Sequence, residues 1–177
     1  MYVGAEVSIG SFLVNYFTQP NIGGLTERAA AGYVSFYWGG AMVGRFAGSA
    51  VMRAISPGKV LGSAAVIASA LVWTSVATTG SIAMGSIIAV GLFNSVMFPT
   101  IFTLGTAQLG PLTGKGSSLM IMAIVGGAIL PVLQGRLADS IGIHMAFIMP
   151  AICYLYIVYY GFSGSKVIAS SASRARG

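Results

Sequence analysis

Long apolar stretches separated by short polar connections make up most of the chain. Six stretches of about 17 to 25 residues can be marked, at 1–17, 31–53, 60–79, 82–106, 117–138 and 144–162. A helix rises about 1.5 Å per residue, so each stretch is close to the length that crosses a bilayer. The pattern predicts an all-α membrane protein with a six-helix transmembrane bundle at 1–162. The polar, basic tail at 163–177 is expected to be disordered and cytoplasmic.

Composition excludes a soluble domain. Of the 177 residues, 56% are hydrophobic and only 7% are charged, and the mean hydropathy is +0.87. The net charge of +6 lies at the ends of the apolar runs, which is typical of membrane orientation signals and not of nucleic-acid binding. One side of the membrane receives Arg53, Lys59, Lys115, Lys166, Arg174 and Arg176, and the other receives Arg28 and Arg136. This asymmetry predicts a multi-pass protein with both termini in the cytoplasm.

The fourth segment carries a polar defect at its centre. Pro99 opposes the carbonyl of the residue four positions earlier, so a kink is expected there, and Asn94 offers an amide one turn before it. Helical spacing places Asn94 on one face with Gly91 and Phe98. This surface suits a small polar solute with an apolar face, such as a sugar. The alternative is that Asn94 bonds a neighbouring helix and that Pro99 only shapes packing.

Two further segments carry polar side chains at membrane depth. In the fifth segment, Pro131 predicts a second kink and shares a face with Gln134. In the first segment, Ser8, Ser11, Asn15 and Gln19 form one polar stripe. Such a stripe lacks partners in hydrocarbon, so it is expected to face a cavity or another helix.

The second segment presents Tyr37 on the same face as three glycines. The four-residue spacing of Gly40, Gly44 and Gly48 is typical of a close-packing ridge. Tyr37 offers a phenol to a sugar hydroxyl. Tyrosines of the sixth segment, Tyr154 among them, are expected to anchor the cytoplasmic interface.

Glu6 and Arg45 are the charges placed well inside apolar segments. Such charges need a partner or water, and we expect these two to interact, directly or through water. A structural or gating role is favoured over proton carriage. With three acidic residues, one His and one Cys, the chain offers no catalytic constellation and no metal site, so an enzyme is not expected. His144 is interpreted as an ordinary interfacial histidine.

A short internal repeat relates the two halves of the chain. Gly44-Arg-Phe-Ala-Gly-Ser49 resembles Gly135-Arg-Leu-Ala-Asp-Ser140, and each lies at the end of the middle segment of a group of three. Groups of three spans have opposite topology. The repeat therefore predicts an inverted 3+3 arrangement, which is typical of secondary transporters.

Four runs carry a resemblance to a known family. They are 2–16 (Tyr-Val-Gly-Ala-Glu-Val-Ser-Ile-Gly-Ser-Phe-Leu-Val-Asn-Tyr), 37–45 (Tyr-Trp-Gly-Gly-Ala-Met-Val-Gly-Arg), 91–99 (Gly-Leu-Phe-Asn-Ser-Val-Met-Phe-Pro) and 131–139 (Pro-Val-Leu-Gln-Gly-Arg-Leu-Ala-Asp). Together with the six-segment layout, they resemble the C-terminal half of the fucose permease family. These are fucose, glucose and galactose:proton symporters of the major facilitator superfamily.

The resemblance implies a function and a set of contacts. Family members have twelve spans, so this chain would supply the last six of a sugar:proton symporter working by alternating access in a bacterial inner membrane. Its expected partners are a monosaccharide, the lipid bilayer and an N-terminal six-helix half; the coupling ion is the proton and no cofactor is needed. The expected sugar contacts are Asn15, Asn94, Gln134 and Tyr37, with Gln19 and Phe98 in support.

In this superfamily the first helix of each three-helix unit lines the central cavity, so Asn15 and Asn94 are expected to face it together. The family attributes its coupling carboxylates chiefly to the N-terminal half. Two alternatives stay open, a truncated or accessory subunit without transport of its own and a six-span transporter that pairs with itself. The identity of the sugar stays open as well.

Overall fold

The computed structural model describes residues 1–165, in which every regular element is helical. Four helices come first: α1 (Tyr2–Phe17), α2 (Glu27–Val51), α3 (Pro57–Ala77) and α4 (Gly80–Thr106). A fifth rod follows, made of a 3₁₀ turn (Gly110–Leu112), α5 (Thr113–Met122), a second 3₁₀ turn (Ala123–Val125) and α6 (Gly126–Ile141). The sixth rod joins α7 (Ile143–Ala146), α8 (Ile148–Tyr159) and a π-helical turn (Tyr160–Gly164). The predicted all-helical fold is confirmed.

Successive rods run in opposite directions between two ends of the bundle. We call the end that holds Arg53, Lys59 and Lys115 the basic end, since the chain turns there between α2 and α3 and between α4 and α5. The opposite end holds the connections at 18–26, at 78–79 and at Gly142. The sixth rod continues two residues past the predicted boundary at 162, and the rest of the predicted tail, from 166 onward, lies outside the described residues.

Four rods are long and apolar enough to cross a membrane: α3, α4, the fifth rod and the sixth rod. The first two predicted segments differ from these. Helix α2 has 25 residues but includes Glu27, Arg28 and Arg45, so its composition is more polar. Helix α1 has 16 residues. The main-chain nitrogen of Met1, just before it, lies 3.7 Å from the position that a Cβ on Gly126 would occupy. Since Gly126 lies midway along the fifth rod, α1 runs from the middle of the bundle to the opposite end.

Close helix packing at glycines organises the bundle. A Cβ on Gly44 would collide with the carbonyl oxygen of Leu92, and one on Gly48 would collide with Val96. Helices α2 and α4 therefore meet almost backbone to backbone, which confirms the predicted glycine ridge. Helix α4 also packs on α3, α3 on α8, and α1 on α6 and α8. The buried apolar core between them includes Phe17, Leu61, Ile87, Met97 and Phe147.

Polar contacts around His144 join α1, α3 and α7 with the connection at 18–26, at the opposite end of the bundle. The Nε2 atom of His144 lies 2.9 Å from the carbonyl oxygen of Ser75, and its Nδ1 atom lies 3.4 Å from the side-chain nitrogen of Asn21. A carbonyl only accepts, so these partners assign the ring proton to Nε2 and leave Nδ1 as acceptor. The hydroxyl of Tyr16 lies 2.7 Å from Ser75 Oγ, and its ring lies 5.8 Å from the imidazole. His144 thus has a packing role here.

Candidate functional site

A cluster of one amide and three phenols lies at the middle of the bundle, centred on Asn94. The side-chain nitrogen of Asn94 donates to the hydroxyl of Tyr37 at 2.7 Å, and its side-chain oxygen accepts from the hydroxyl of Tyr154 at 2.6 Å. The hydroxyl of Tyr2 donates to the main-chain oxygen of Asn94 at 2.7 Å. All four residues are buried. The Asn94 cluster, as we call these four residues, ties α1, α2, α4 and α8 together.

The glycines of α2 and α4 make this cluster possible. A Cβ on Gly91 would meet the backbone of Tyr37, just as one on Gly44 would meet the backbone of α4. Because these positions lack side chains, the two helix axes come close enough for the Asn94 amide to reach the Tyr37 hydroxyl. At this depth water is scarce, so a polar side chain is stable only with such partners.

An aromatic wall lies one turn from the amide. The rings of Phe98 and Tyr2 stack with centroids 6.5 Å apart and planes inclined by 27°, and Phe98 also packs on Phe102 at 6.3 Å. Phe98 is half-buried, whereas Asn94 is 1% exposed. On the other side, Trp38 meets the Tyr37 ring edge to face at 5.2 Å. Aromatic rings therefore lie near the Asn94 amide through Tyr2 and Tyr37.

Gln134 lies in the interface between α1 and α6, apart from the Asn94 cluster. It is fully buried, and neither polar atom of its amide has a hydrogen-bond partner among the described residues. The hydroxyl of Ser8, also buried, is unpaired as well. A Cβ on Gly135, the next residue of α6, would lie 3.6 Å from the ring of Phe12 on α1. A buried polar group without a partner costs about 1–3 kcal/mol, so these atoms are poised to bond an additional group.

Asn15 and Gln19 lie at the opposite end of the bundle. Asn15 is exposed, and the side-chain nitrogen of Gln19 donates to its main-chain oxygen at 3.2 Å. Thirteen residues separate Asn15 from Tyr2, which is roughly 20 Å along a helix. Asn15 and Asn94 therefore lie at different depths of the bundle, because α1 begins beside the Asn94 cluster and ends far from it. That the two residues face one cavity stays a prediction.

Glu6 and Arg45 line a common cavity of about 390 Å³, together with Trp38, Ala41, Met42 and Phe46. Glu6 is half-buried and Arg45 is exposed. Within residues 1–165 no direct ion pair joins them, so the shared cavity leaves room for contact through water. Neither side chain hydrogen-bonds the amide of Asn94, whose two side-chain atoms bond Tyr37 and Tyr154.

The two prolines lie inside helices that continue past them. Pro99 lies within α4, and Pro131 lies within α6. The visible break in the fifth rod is the 3₁₀ turn at Ala123–Val125, six residues before Pro131. Two hydroxyls near Pro99 bond carbonyls of their own helix, Thr100 to that of Val96 at 2.6 Å and Thr103 to that of Pro99 at 2.9 Å.

Sequence reasoning missed Tyr2 and Tyr154 as members of the cluster. Tyr154 was expected at the cytoplasmic interface, which is wrong, since its side chain is fully buried. The sixth rod extends to Gly164, so Tyr154 lies about 15 Å from its end. This distance from the end of the segment is the feature of the sequence that could have indicated a buried position.

Among residues 1–165, no group of His, Cys, Asp and Glu could hold a metal ion.

Both the sequence and the fold of this chain are similar to those of known proteins. No family model matches the chain. The glucose/galactose transporter of Brucella abortus is 60% identical over 166 residues, which are 94% of this chain and 40% of the relative. A putative glucose/galactose transporter of Helicobacter pylori is 45% identical over 93% of this chain and 41% of the relative. The L-fucose-proton symporter of Escherichia coli is 35% identical over 90% of this chain and 36% of the relative.

A solved structure agrees with these relatives. The crystal structure of the major facilitator superfamily transporter FucP in the outward conformation matches with a TM-score of 0.89 and 33% identity, over 94% of this chain and 40% of that one. This chain thus spans about 40% of the length of the proteins it matches, which are named as transporters and not as enzymes. Sequence and fold together confirm the resemblance indicated by the motifs: the chain is a membrane protein that corresponds to the C-terminal part of a fucose permease family transporter of the major facilitator superfamily.

Proposed function

We propose that this chain supplies the C-terminal half of a monosaccharide:proton symporter that works by alternating access. The sugar belongs to the fucose, glucose and galactose class, since the names of two relatives state glucose/galactose and L-fucose respectively. The other six-helix half is a required partner. The coupling ion is the proton, as the name of the Escherichia coli relative states for that protein. We place the chain in a bacterial inner membrane with both termini in the cytoplasm, the orientation that the basic end favours.

The observation that carries this proposal is the Asn94 cluster at the middle of the bundle. Transporter substrate sites lie near the bilayer midplane, at the interface between repeats. An amide and phenols offer both donors and acceptors, and the ring of Phe98 beside them offers an apolar face. A sugar ring presents the same combination, with hydroxyls at its edge and C–H groups on its faces.

Each side chain of the Asn94 cluster has a hydrogen-bond partner in this conformation, so we propose that a sugar enters by displacing one of them. A ligand hydroxyl must replace the hydroxyl of Tyr37 or Tyr154 on the Asn94 amide. Movement of one three-helix group against the other would separate Tyr37 on α2 from Asn94 on α4, since these two helices belong to different groups. Binding then exchanges one set of hydrogen bonds for another at small net cost.

Gln134 is proposed as a second sugar contact because its amide has no partner in this state. Asn15 and Gln19 lie toward the opposite end, so they are proposed to meet the sugar on its path and not at the Asn94 cluster. Glu6 and Arg45 are proposed to act in gating through their shared cavity.

A chimera tests the function. The corresponding region of the Brucella abortus transporter is replaced with this chain, and uptake of labelled galactose, glucose and fucose is measured in cells. We expect proton-dependent uptake of at least one of these sugars. A chimera that reaches the membrane and takes up none of them would contradict the proposal. Uptake by this chain alone would instead support a self-sufficient six-helix transporter, and the accessory-subunit alternative predicts no uptake in either form.

Tyr37→Phe in the same chimera tests the site. Loss of one hydrogen bond to the sugar is worth about 0.5–1.5 kcal/mol, so we expect the KM to rise about two- to twelvefold. Tyr33→Phe is the matched control, because Tyr33 is exposed on the same helix. Equal KM values for the two variants would exclude Tyr37 as a contact.

Glu6→Gln in the chimera distinguishes a coupling role of Glu6 from a gating role. Full proton-driven uptake by this variant would exclude Glu6 as a coupling residue.

A further inference from the structure

An apolar groove of about 250 Å³ opens between α2, α3 and α4 near the basic end. Small residues line part of this space, with Gly44 and Ala47 in one wall and Ala64 in another. Larger apolar side chains border it. Its lining includes Gly48, Val51, Lys59, Ile67, Phe93 and Val96.

The groove has the depth of one membrane leaflet. Its wall on α3 runs from Lys59 to Ile67, which is about 12 Å along a helix. It starts at the basic end and reaches Phe93, the neighbour of Asn94, at the middle of the bundle. Half of a bilayer's hydrocarbon core is about 15 Å thick. A single acyl chain from the leaflet at the basic end can therefore fill it lengthwise.

Positive charge marks the mouth of the groove. Lys59 lines it and is exposed, and Arg53 is exposed on the adjoining connection. Helix α3 begins between these two residues, without a side-chain cap at Ser56 and without an acidic residue in its first turn. The positive end of the helix dipole adds to the two cations. An anionic headgroup fits this end, whereas a zwitterionic one gains less.

We propose that this groove binds one acyl chain of a phospholipid whose anionic headgroup is held by Lys59 at the basic end. The argument is independent of sugar transport and rests on the apolar lining, the leaflet depth and the charge at the mouth. Val51 and Ile67 at its rim are 43% and 41% exposed, so the site is open on one side to the surrounding lipid.

Photolabelling in vesicles tests the proposal. The full chain is reconstituted into phosphatidylcholine vesicles that contain a trace of phosphatidylglycerol or phosphatidylcholine with a diazirine on one acyl chain. Labelled peptides are then quantified by mass spectrometry. We expect the phosphatidylglycerol probe to label 44–67 and 92–96 about fivefold more than the phosphatidylcholine probe, since one basic residue near the surface is worth about 1 kcal/mol.

Two variants and two controls separate charge from shape. Lys59→Gln should lower phosphatidylglycerol labelling about fivefold, while Lys115→Gln, at the same end but outside the groove, should leave it unchanged. Ser63→Phe fills the groove from an exposed position and should lower labelling by both probes, whereas Ala70→Phe, exposed on the same helix, should not.

Three results would overturn the proposal. Equal labelling by the two probes would remove the anionic preference, and equal labelling of the Lys59 and Lys115 variants would remove Lys59 from the site. Loss of labelling in a full-length chimera would mean that other helices of the transporter cover the groove. Circular dichroism of the Ser63→Phe chain checks that it is folded, and the Lys59→Gln result stands without that variant.

Discussion

Replacing Asn94 with alanine removes the amide that joins Tyr37 and Tyr154 at the middle of the bundle. Both phenols are fully buried, so each loses its partner where water cannot replace it. Hydrogen bonds between membrane helices average about 0.6 kcal/mol, which sets a lower bound of about 1 kcal/mol for two bonds. An orphaned buried group costs about 1–3 kcal/mol. We expect Asn94→Ala to lower the free energy of unfolding by about 2 kcal/mol.

The measurement is unfolding of the purified chain by dodecyl sulfate in mixed micelles, followed by far-ultraviolet circular dichroism. Tryptophan emission gives a second probe, because Trp38 packs on the Tyr37 ring. Asn15→Ala is the matched control, since it makes the same chemical change at an exposed position. Surface changes of this kind stay within about 0.5 kcal/mol.

A combined variant tests the mechanism behind that number. Asn94→Leu with Tyr37→Phe and Tyr154→Phe removes donors and acceptors together, so no polar group is left unpaired. It should be closer to the native chain in stability than Asn94→Ala is. If Asn94→Ala costs no more than Asn15→Ala, the cluster does not stabilise the bundle and the reasoning from unpaired phenols is refuted.

Three further variants probe other parts of the molecule by the same unfolding assay. Gln134→Leu removes an unpaired amide, so we expect a gain of about 1–3 kcal/mol together with reduced sugar uptake in the chimera; a loss of stability would show that the amide is paired. Gly44→Ala forces α2 away from α4 and should cost about 1–3 kcal/mol, whereas Gly39→Ala, with open space around it, should stay within about 0.5 kcal/mol. His144→Ala removes the contact with the Ser75 carbonyl and should cost about 1 kcal/mol, and no change would exclude a packing role.

The fold was accessible from the sequence because long apolar runs determine where membrane helices lie. The predicted fourth segment at 82–106 became α4 at Gly80–Thr106, and the glycine spacing of α2 predicted its close contact. Periodicity gives the face of a helix but not its depth. The spacing therefore places Ser11 and Asn15 on one face of α1, where both are exposed, but it does not give the depth of Asn15 relative to Asn94.

The partners of Asn94 lay beyond sequence reasoning. An amide at the centre of a span predicts some polar partner, but Tyr2 and Tyr154 are 92 and 60 positions away, and only the packed bundle brings them together. The break in the fifth rod was also missed. Pro131 was the visible signal, yet the 3₁₀ turn forms earlier, at Ala123–Val125, where no proline stands.

The 3₁₀ turn at Ala123–Val125 divides the fifth rod into two arms that differ in how much they pack on other helices. The arm beyond it, α6, packs along α1 and holds Gln134, whereas α5 has its principal contacts with α4 and the turns beside it, and contains no buried residue. A 3₁₀ turn within a helix is a natural pivot. We therefore expect α5 to bend about this turn while α6 and the polar interface around Gln134 stay in place.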